Sequence, residues 1–586
     1  MQEFRRSVYC GQIDKLFLNK EIFLAGWVDN IRDHGGLIFI DLRDRTGIMQ
    51  LVINPEKNNE LAEKAKTIRA EFVISVRGKV INRTKENINE NLKTGKFELN
   101  VLDLSIVSKS KPLPYQLDDA DNVDDELRLK YRYLDLRREK MQKMLKIRCD
   151  AVFAVREYLI KKEFYEIETP ILSKSTPEGA RDFLVPSRLQ HGEFYALPQS
   201  PQIYKQLLMA SGVDKYFQIA KCFRDEDFRA NRQPEFSQID LEMSFVQETD
   251  VQDICEGVLN SVWEKIFNKT LKLPLPRLSY DEVFFKFGTD KPDMRFGLEI
   301  NDFTNLFEST KLKFLKSVID NGGKVGAICV PNKNFSRSDL DKWVKFATDR
   351  LKAKGLLWIG FAEDGSALSS IAKFLPTNFF LEARKIITSL TPADTIFLVA
   401  DKYESAWRVL GRLRNEFAKK FDLISDNEFN MCWVTDFPLL EWDDEQKRYF
   451  AKHHPFTAPQ HGWENLDPSK IKARAYDIVC NGEELGGGSI RIHDKKTQIK
   501  IFELLGISTK EAKEKFGFLL QAHEFGFPPH GGIALGLDRL IMLITKANSI
   551  RDVIAFPKMQ SGICPMINTP SVVSSKQLKD LHLKII

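Results

Sequence analysis

Nowhere in this 586-residue chain does an apolar run approach the roughly 20 residues that a helix needs to cross a bilayer. The opening segment, MQEFRRSVYC, lacks the apolar stretch of an export signal, so the expected compartment is the cytoplasm, with no membrane partner. Cysteine is sparse: of eight, no two form a Cys-x-x-Cys pair and none joins a histidine at zinc-ligand spacing. That argues against a structural zinc site and for buried thiols in a reducing compartment. Charge of one sign is also missing. The net charge of +5 neither demands a nucleic-acid partner nor excludes one bound by a local basic patch. There is no internal repeat and no low-complexity tract. What is present is a 43% hydrophobic share, ample for real cores, which rules out disorder as the main state. At roughly 150 residues per domain, the length predicts about four folding units.

The first hundred residues read as short β-rich runs, at 21–28, 37–42, 50–53, 72–77 and 97–102, with a helical interruption near 57–69. Five strands with a helix between the third and fourth is the order of an OB-fold barrel, although another small β-barrel fits the same pattern. Residues 108–140 carry a proline-rich and then acidic run that suits a hinge rather than a core element. From 141 the apolar spacing turns helical, through Met144, Ile147, Val152, Val155 and Leu159. Residues 297–418 look like a separate α+β insertion with helices at 304–319 and 338–354 and no catalytic constellation. The expected organisation is therefore a multidomain α/β chain. It has a barrel at 1–107, a hinge at 108–140, a catalytic domain in two parts (141–296 and 419–586, the latter with a C-terminal extension) and the insertion between them.

Two segments carry chemistry. Residues 221–240, KCFRDEDFRANRQPEFSQID, mix basic and acidic residues with Phe223, Phe228, Phe236 and Ile239. A solvated loop of paired charges is the common fate of such a run. An arginine beside a flat aromatic is also what gripping a nucleotide needs, with charge for phosphate and a face for the base. Residues 531–540, GGIALGLDRL, form a glycine-lined strand entering a helix. This reads either as a phosphate seat or as a tight packing turn capped by Asp538.

Taken together and in this order, these strings resemble class II aminoacyl-tRNA synthetases. The helix near 145–162 and the strand ending at Pro170 match motif 1, residues 223–236 match motif 2, and residues 532–539 match motif 3. The barrel at the front narrows the resemblance to the aspartate, asparagine and lysine subgroup. Four further strings resemble the bacterial-type aspartyl-tRNA synthetases: TPEGARDFLVPS (176–187), QSPQIYKQ (199–206), KHHPF (452–456) and ELGGGSIRIH (484–493). The insertion occupies the place of that family's GAD domain. An asparaginyl enzyme would lack the insertion and the EGARD string; an inactive RNA-binding paralogue would be expected to lose Arg224, Arg539 or the metal carboxylates.

The resemblance implies an antiparallel-sheet catalytic domain, ATP as substrate, Mg²⁺ as cofactor, and a homodimer built on motif 1. It implies an aspartate pocket of Glu178, Gln202, Lys205, Arg224, Asp240, His453 and Arg491, in which Lys205 and Arg491 answer the side-chain carboxylate. It implies ATP contacts from Arg224, Asp225, Glu226, Gln233, Phe236, His454, Glu484, Gly536, Leu537, Asp538 and Arg539, with Arg224 and Arg539 catalytic. Asp477 and Glu484 would hold Mg²⁺. His453 would lie near the substrate ammonium and His454 near the γ-phosphate, on opposite sides of a strand. Arg32, His34, Phe39 and Gln50 would meet the tRNA anticodon, although Phe39 fits barrel core equally well. At position 34, versions restricted to tRNA(Asp) often carry leucine. The histidine here resembles enzymes that also aspartylate tRNA(Asn), while the loop at 85–89 lacks the glycine-bearing form some of those have.

Overall fold

The computed structural model describes residues 5–175, 180–226, 231–331, 335–425 and 427–586. The chain divides into two compact units, one of residues 1–148, 228–232 and 545–572, the other of the remainder.

In the first unit, strands β1 (Glu21–His34), β2 (Leu37–Asp44), β3 (Gly47–Ile53), β4 (Val73–Asn82) and β5 (Phe97–Ser108) close into a barrel in the order β1-β2-β3-β5-β4. Period-two burial produces it: Ile22, Leu24 and Val28 of β1 and Ile38 and Ile40 of β2 point inward. β1 is longer than the sequence pattern indicated. A bulge between Val28 and Asn30 lets its first half pair with β4 and its second with β2. Helix α1 (Asn59–Lys66), with the Asn58 side chain accepting from the Leu61 N–H at 2.9 Å, drops Leu61, Ala62 and Ala65 into the barrel core.

The segment expected to be a hinge has a core of its own. Tyr115, Leu117, Ala120 and Leu134 cluster, and fully buried Asp135 accepts from Arg128 (3.1 Å), Arg132 (2.6 Å) and Arg138 (2.9 Å). Arg132 also donates to the carbonyls of Arg551, Ile554 and Ala555, binding the returning chain to this segment. The acidic run hid this because its partners are arginines that follow it and a stretch four hundred residues away.

The second unit holds helix α2 (Glu139–Lys161) from its residue 149 onward and an eight-stranded sheet. Its strands are β6 (Tyr165–Glu166), β7 (Lys215–Phe223), β8 (Glu235–Ser244), β9 (Arg277–Ser279), β10 (Met431–Thr435), β11 (Ala475–Cys480), β12 (Glu483–Ile490) and β13 (His530–Gly536), in the order β9-β10-β11-β12-β13-β8-β7-β6. The interior pairings are antiparallel, and the two edge pairs, β9 with β10 and β6 with β7, are parallel. Register builds the site: Asp477, Gly487, Ala534, Asp240 and Gln218 stand directly opposite one another in a single row. Opposed residues share a face, so Asp477 and Asp240 project to the same side with only small residues between them. Helices α3 (Gln202–Ala210) and α4 (Leu537–Thr545) complete the surroundings.

Residues 301–401 contain a separate five-stranded sheet, ordered Asn301–Asp302, Lys324–Val330, Thr395–Asp401, Leu357–Phe361, Ala367–Leu368. Alternate residues serve two cores: Val325, Ala327, Ile396 and Leu398 face one, and Ile328, Val330, Phe397 and Val399 the other. The helix expected over 304–319 is instead a 3₁₀ turn, Thr304–Phe307, and a helix, Lys313–Asp320. The one expected over 338–354 runs Arg337–Asp349. No helix among the described residues is long and apolar enough to cross a membrane.

Replacing Arg132 by methionine removes its three carbonyl contacts and leaves Asp135 short of one cation, at a cost of about 3 kcal/mol. Guanidinium unfolding should show an earlier first transition. Arg132→Lys should recover only part of it, because an ammonium cannot span the same carbonyls.

Candidate active site

The row of small residues on β12 and β13 leaves a bare floor, and charged side chains surround it. Lys205 projects from α3 and is 1% exposed. Its ammonium reaches Asp240 Oδ1 at 2.6 Å and Glu242 Oε2 at 3.2 Å. Arg491, just past β12, grips Glu242 in a fork, with Nε to Oε1 at 3.0 Å and Nη2 to Oε2 at 3.3 Å, and donates from Nη1 to Ser489 Oγ at 2.7 Å. Glycine is required opposite Glu242: a Cβ on Gly532 would stand 2.0 Å from Glu242 Oε2. Burial would raise the Glu242 carboxyl, but Arg491 and Lys205 outweigh it and hold it at about 2. Burial raises Asp240, with Lys205 opposing. Among the described residues, one ammonium proton of Lys205 and one Nη1 proton of Arg491 remain for a ligand. Among the described residues, the Gln202 Nε2 is buried there without a partner, as are both side-chain polar atoms of Gln206.

Beside this cluster, the Arg224 guanidinium lies 5.1 Å from the centre of the Phe236 ring, with Nε buried and, among the described residues, unpartnered. Asp225 forms an isolated bridge with Arg181, Glu226 follows it, and Gln233 is buried. Gly536 ends β13, Leu537 begins α4, and Asp538 Oδ2 accepts from the Ser237 N–H at 2.9 Å, tying motif 3 to the end of motif 2. Arg539 donates to the Glu484 main-chain carbonyl.

Asp477 and Glu484 form a second acidic centre. A Cβ on Gly487 would come within 2.4 Å of Asp477 Oδ1, so glycine there cradles the carboxylate. Burial, then Glu484 and Asp290, push Asp477 well above the usual carboxylate range. Glu484 is lowered because Lys291, 2.6 Å away, outweighs its burial. Oxygen donors that repel each other without a cation suit a hard divalent ion. Among the described residues no three His, Cys, Asp or Glu side chains form a preformed cluster, so water and phosphate oxygens would have to complete the shell.

His453 and His454 lie beyond the strand Arg448–Ala451 in a bend, not on a strand as expected. The His453 Nδ1 is 3.9 Å from Asp477 Oδ1, its ring stands edge-on to Phe437, and burial holds it at about 4. Burial, then Arg491 and Lys205, lower His454 well below the usual imidazole range; its Nδ1 accepts from the Phe456 N–H at 3.3 Å. Both Nε2 atoms are buried without a partner. The Lys205 and Arg491 charges thus act on His454.

On the barrel, Arg32 forms a fork with Asp41 (2.8 and 3.0 Å), and Gln50 donates to Glu98 at 2.9 Å. Phe39 pairs with Arg32 across β1 and β2 and lies half-buried between Ile38 and Ile40, which point into the core. It therefore belongs to the outer face, and the core alternative falls. His34 is exposed, its ring edge-on to Phe39 at 6.3 Å. Glu178 lies outside the described residues.

Sequence reasoning missed Glu242, Gln206, Lys291 and His530. Glu242 was within reach, two residues from Asp240 on a strand and so on the same face. Lys291 sits in an irregular loop where no periodicity points to it.

The family description "tRNA synthetases class II (D, K and N)" matches residues 124–560, and "OB-fold nucleic acid binding domain" matches residues 22–107. The chain is 50% identical over 589 residues to the aspartate–tRNA(Asp/Asn) ligase of Caldanaerobacter subterraneus subsp. tengcongensis, covering 99% of this chain and 98% of the relative. It is 49% identical over 587 residues to the aspartate–tRNA ligase of Staphylococcus epidermidis, covering 99% of each. The crystal structure of asparaginyl-tRNA synthetase from Pyrococcus horikoshii complexed with asparaginyl-adenylate superposes with a TM-score of 0.59 at 20% identity, covering 94% of this chain and 97% of that one, a likeness of fold.

His530 is fully buried behind Glu242, and its Nδ1 donates to the Pro528 carbonyl at 2.9 Å. Burial lowers it to about 4, with Arg491 and His523 in the same direction and Glu242 and the Pro528 bond against. Its folded value lies below the unfolded value of roughly 6.5, so its stabilisation is complete above that pH and is lost as pH falls towards 4. Melting temperature should therefore fall between pH 6.5 and 4, and His530→Gln should reduce that slope. An identical slope in the variant would remove His530 as a contributor.

Proposed function

The chain belongs to the class II tRNA synthetases of the aspartate, asparagine and lysine group, and from that membership we propose that it is an aspartate–tRNA ligase. The observation that carries this is the pair of buried cations, Lys205 and Arg491, each locked on Glu242 and each with a donor left over. Two fixed donors on cations suit a side-chain carboxylate. A neutral amide would leave one of them facing its NH₂ group, a penalty of several kcal/mol at a buried site.

In this reading Glu178, Gln202 and His453 receive the α-ammonium, and neutral His453 is suited to accept. Asp240 and Glu242 hold the cations in place. Arg224 spans the α-phosphate and the substrate carboxylate, with adenine stacked on Phe236. Asp225, Glu226, Gln233 and the Gly536–Leu537–Asp538 turn orient the nucleotide, and Arg539 meets the γ-phosphate. Asp477 and Glu484 hold Mg²⁺, which when bound supplies charge neutralisation to the phosphates. The α-carboxylate of aspartate attacks the α-phosphorus in line and pyrophosphate leaves; the 3′-OH of tRNA then attacks the carbonyl of the adenylate, and AMP leaves as the ester forms. No side chain serves as nucleophile. Positioning and the charges of Arg224 and Arg539 lower the barrier.

We read the barrel as the anticodon-binding domain, with Phe39 stacking a base and Arg32, Gln50 and His34 beside it, and the 301–401 sheet as part of the GAD-like insertion. Exposed Phe153 and Ile160 on α2, with Tyr165 on β6, support a homodimer through motif 1. The free cysteines fit a reducing cytoplasm. His34 favours charging of both tRNA(Asp) and tRNA(Asn); the Lys85–Asn89 loop favours the restricted form, and relatives carry both names.

Arg491→Leu should lower aspartate-dependent ATP–pyrophosphate exchange by more than about a hundredfold, and exchange retained at ordinary aspartate levels defeats the pocket assignment. Phe39→Ala should raise the tRNA KM by about tenfold or more while sparing adenylate formation; a damaged adenylate step would make Phe39 a structural residue. Separate aspartylation of purified tRNA(Asp) and tRNA(Asn) decides specificity. Charging of tRNA(Asp) alone retains the enzyme and removes the dual role.

A further inference from the structure

The Asp477–Glu484 centre is met by a cation from the chain itself. Lys291 Nζ stands 2.6 Å from Glu484 Oε2, and Asp290 adds a third carboxylate to the same field. The other cationic candidates nearby are otherwise engaged. Arg539 spends Nη1 on the Glu484 main-chain carbonyl, Lys452 pairs with Glu441 at 3.0 Å, and His453 is held neutral. Among the described residues, Lys291 makes the only salt bridge to the Glu484 carboxylate.

The loop carrying Lys291 is tied down by its own hydrogen bonds, while the Lys291 side chain reaches partly into solvent. The Lys291 N–H donates to Thr289 Oγ1 at 3.1 Å. Arg295 clasps Asp293 at 3.0 and 2.7 Å, and buried Arg414 donates to the Asp293 carbonyl at 2.6 Å. The Lys291 side chain stays 41% exposed, against 2% for Lys205. A rigid base under a flexible four-carbon stem suits an ammonium that must change partners.

Resting on the reading of Asp477 and Glu484 as the Mg²⁺ carboxylates, we propose that Lys291 is their exchangeable counter-ion. Before nucleotide binds, its ammonium neutralises Glu484 and competes with a divalent ion. When ATP and its metal arrive, Lys291 gives up the carboxylate and turns to the polyphosphate. Lys291 thereby makes metal binding depend on nucleotide, as a positioning residue for the ion and a direct contact for the phosphates.

The test is Mn²⁺ titration of the nucleotide-free full-length protein, followed by electron paramagnetic resonance. Lys291→Met should bind Mn²⁺ roughly tenfold more tightly than the unaltered protein, and Lys291→Arg, which keeps the charge, should not. The ATP KM of Lys291→Met should rise at saturating Mg²⁺. Should methionine disturb the loop, Lys291→Gln keeps a donor without the charge and should show the same tightening. Unchanged Mn²⁺ affinity in both neutral variants, with binding abolished by adding Glu484→Gln, overturns the counter-ion role and leaves the metal assignment standing. Mn²⁺ affinity indifferent to Glu484→Gln removes the metal assignment, and the proposal with it.

Discussion

Four charges withdrawn from water, Lys205, Asp240, Glu242 and Arg491, impose the strictest demand on this molecule. Desolvating so many ions costs several kcal/mol each, which only close pairing offsets. The pairing requires α3, β8 and the end of β12 to meet within hydrogen-bonding distance. Strand register follows from that demand. Slipping β8 by one residue would turn Asp240 and Glu242 to the opposite face and strand both cations. The glycine at 532 follows as well, since any side chain there would occupy the space of Glu242. The positions of both cations are thus settled by the fold itself, so little reorganisation would be left for the moment a ligand binds.

The second charged centre solves a different problem with similar parts. Asp477 too lies over a glycine and on the same row of the sheet as Asp240. Its partner Glu484, however, is neutralised from a half-exposed lysine on a loop rather than from a buried one on a helix. Permanent cations suit a ligand whose charge must always be answered in one place. An exchangeable cation suits a site whose own ion arrives with the substrate. Burial therefore separates two lysines that sequence alone treats alike.

Legibility followed the range of the interaction. The barrel was readable because inward Ile22, Leu24 and Val28 repeat every second residue, and the motif strands because their strings are contiguous. Residues 113–138 were misread because acids beside one another look solvated until Arg132 is seen reaching the carbonyls of 551–555. His453 and His454 seemed to alternate across a strand, but Pro455 follows them, and proline cannot donate to a ladder. The helix expected at 304–319 breaks between Phe307 and Lys313, where Thr310 Oγ1 accepts from the Leu312 N–H at 3.2 Å, a local side-chain bond that competes with the helix ladder. The acidic segment is a case of tertiary contact overriding a local signal, and the histidine pair one of a local signal, the proline, left unread.

The barrel applies the same distinction between locked and free groups to RNA. Arg32 is tied by two bonds to Asp41, and Gln50 is tied to Glu98, so both present fixed edges. A base that mismatches a fixed edge leaves a polar group unpaired and is rejected at about 1–3 kcal/mol. His34 is exposed at the end of β1 with its ring edge-on to Phe39, and among the described residues no side-chain hydrogen bond or ion pair ties it. An imidazole that can either donate or accept, and can move to do so, discriminates weakly between bases that differ in exchanging donor for acceptor. On the reading of the barrel as the anticodon-binding domain, relaxed recognition at one position would require no loss of rigidity elsewhere in the barrel. It needs only that the residue meeting that position be the one the fold leaves untied.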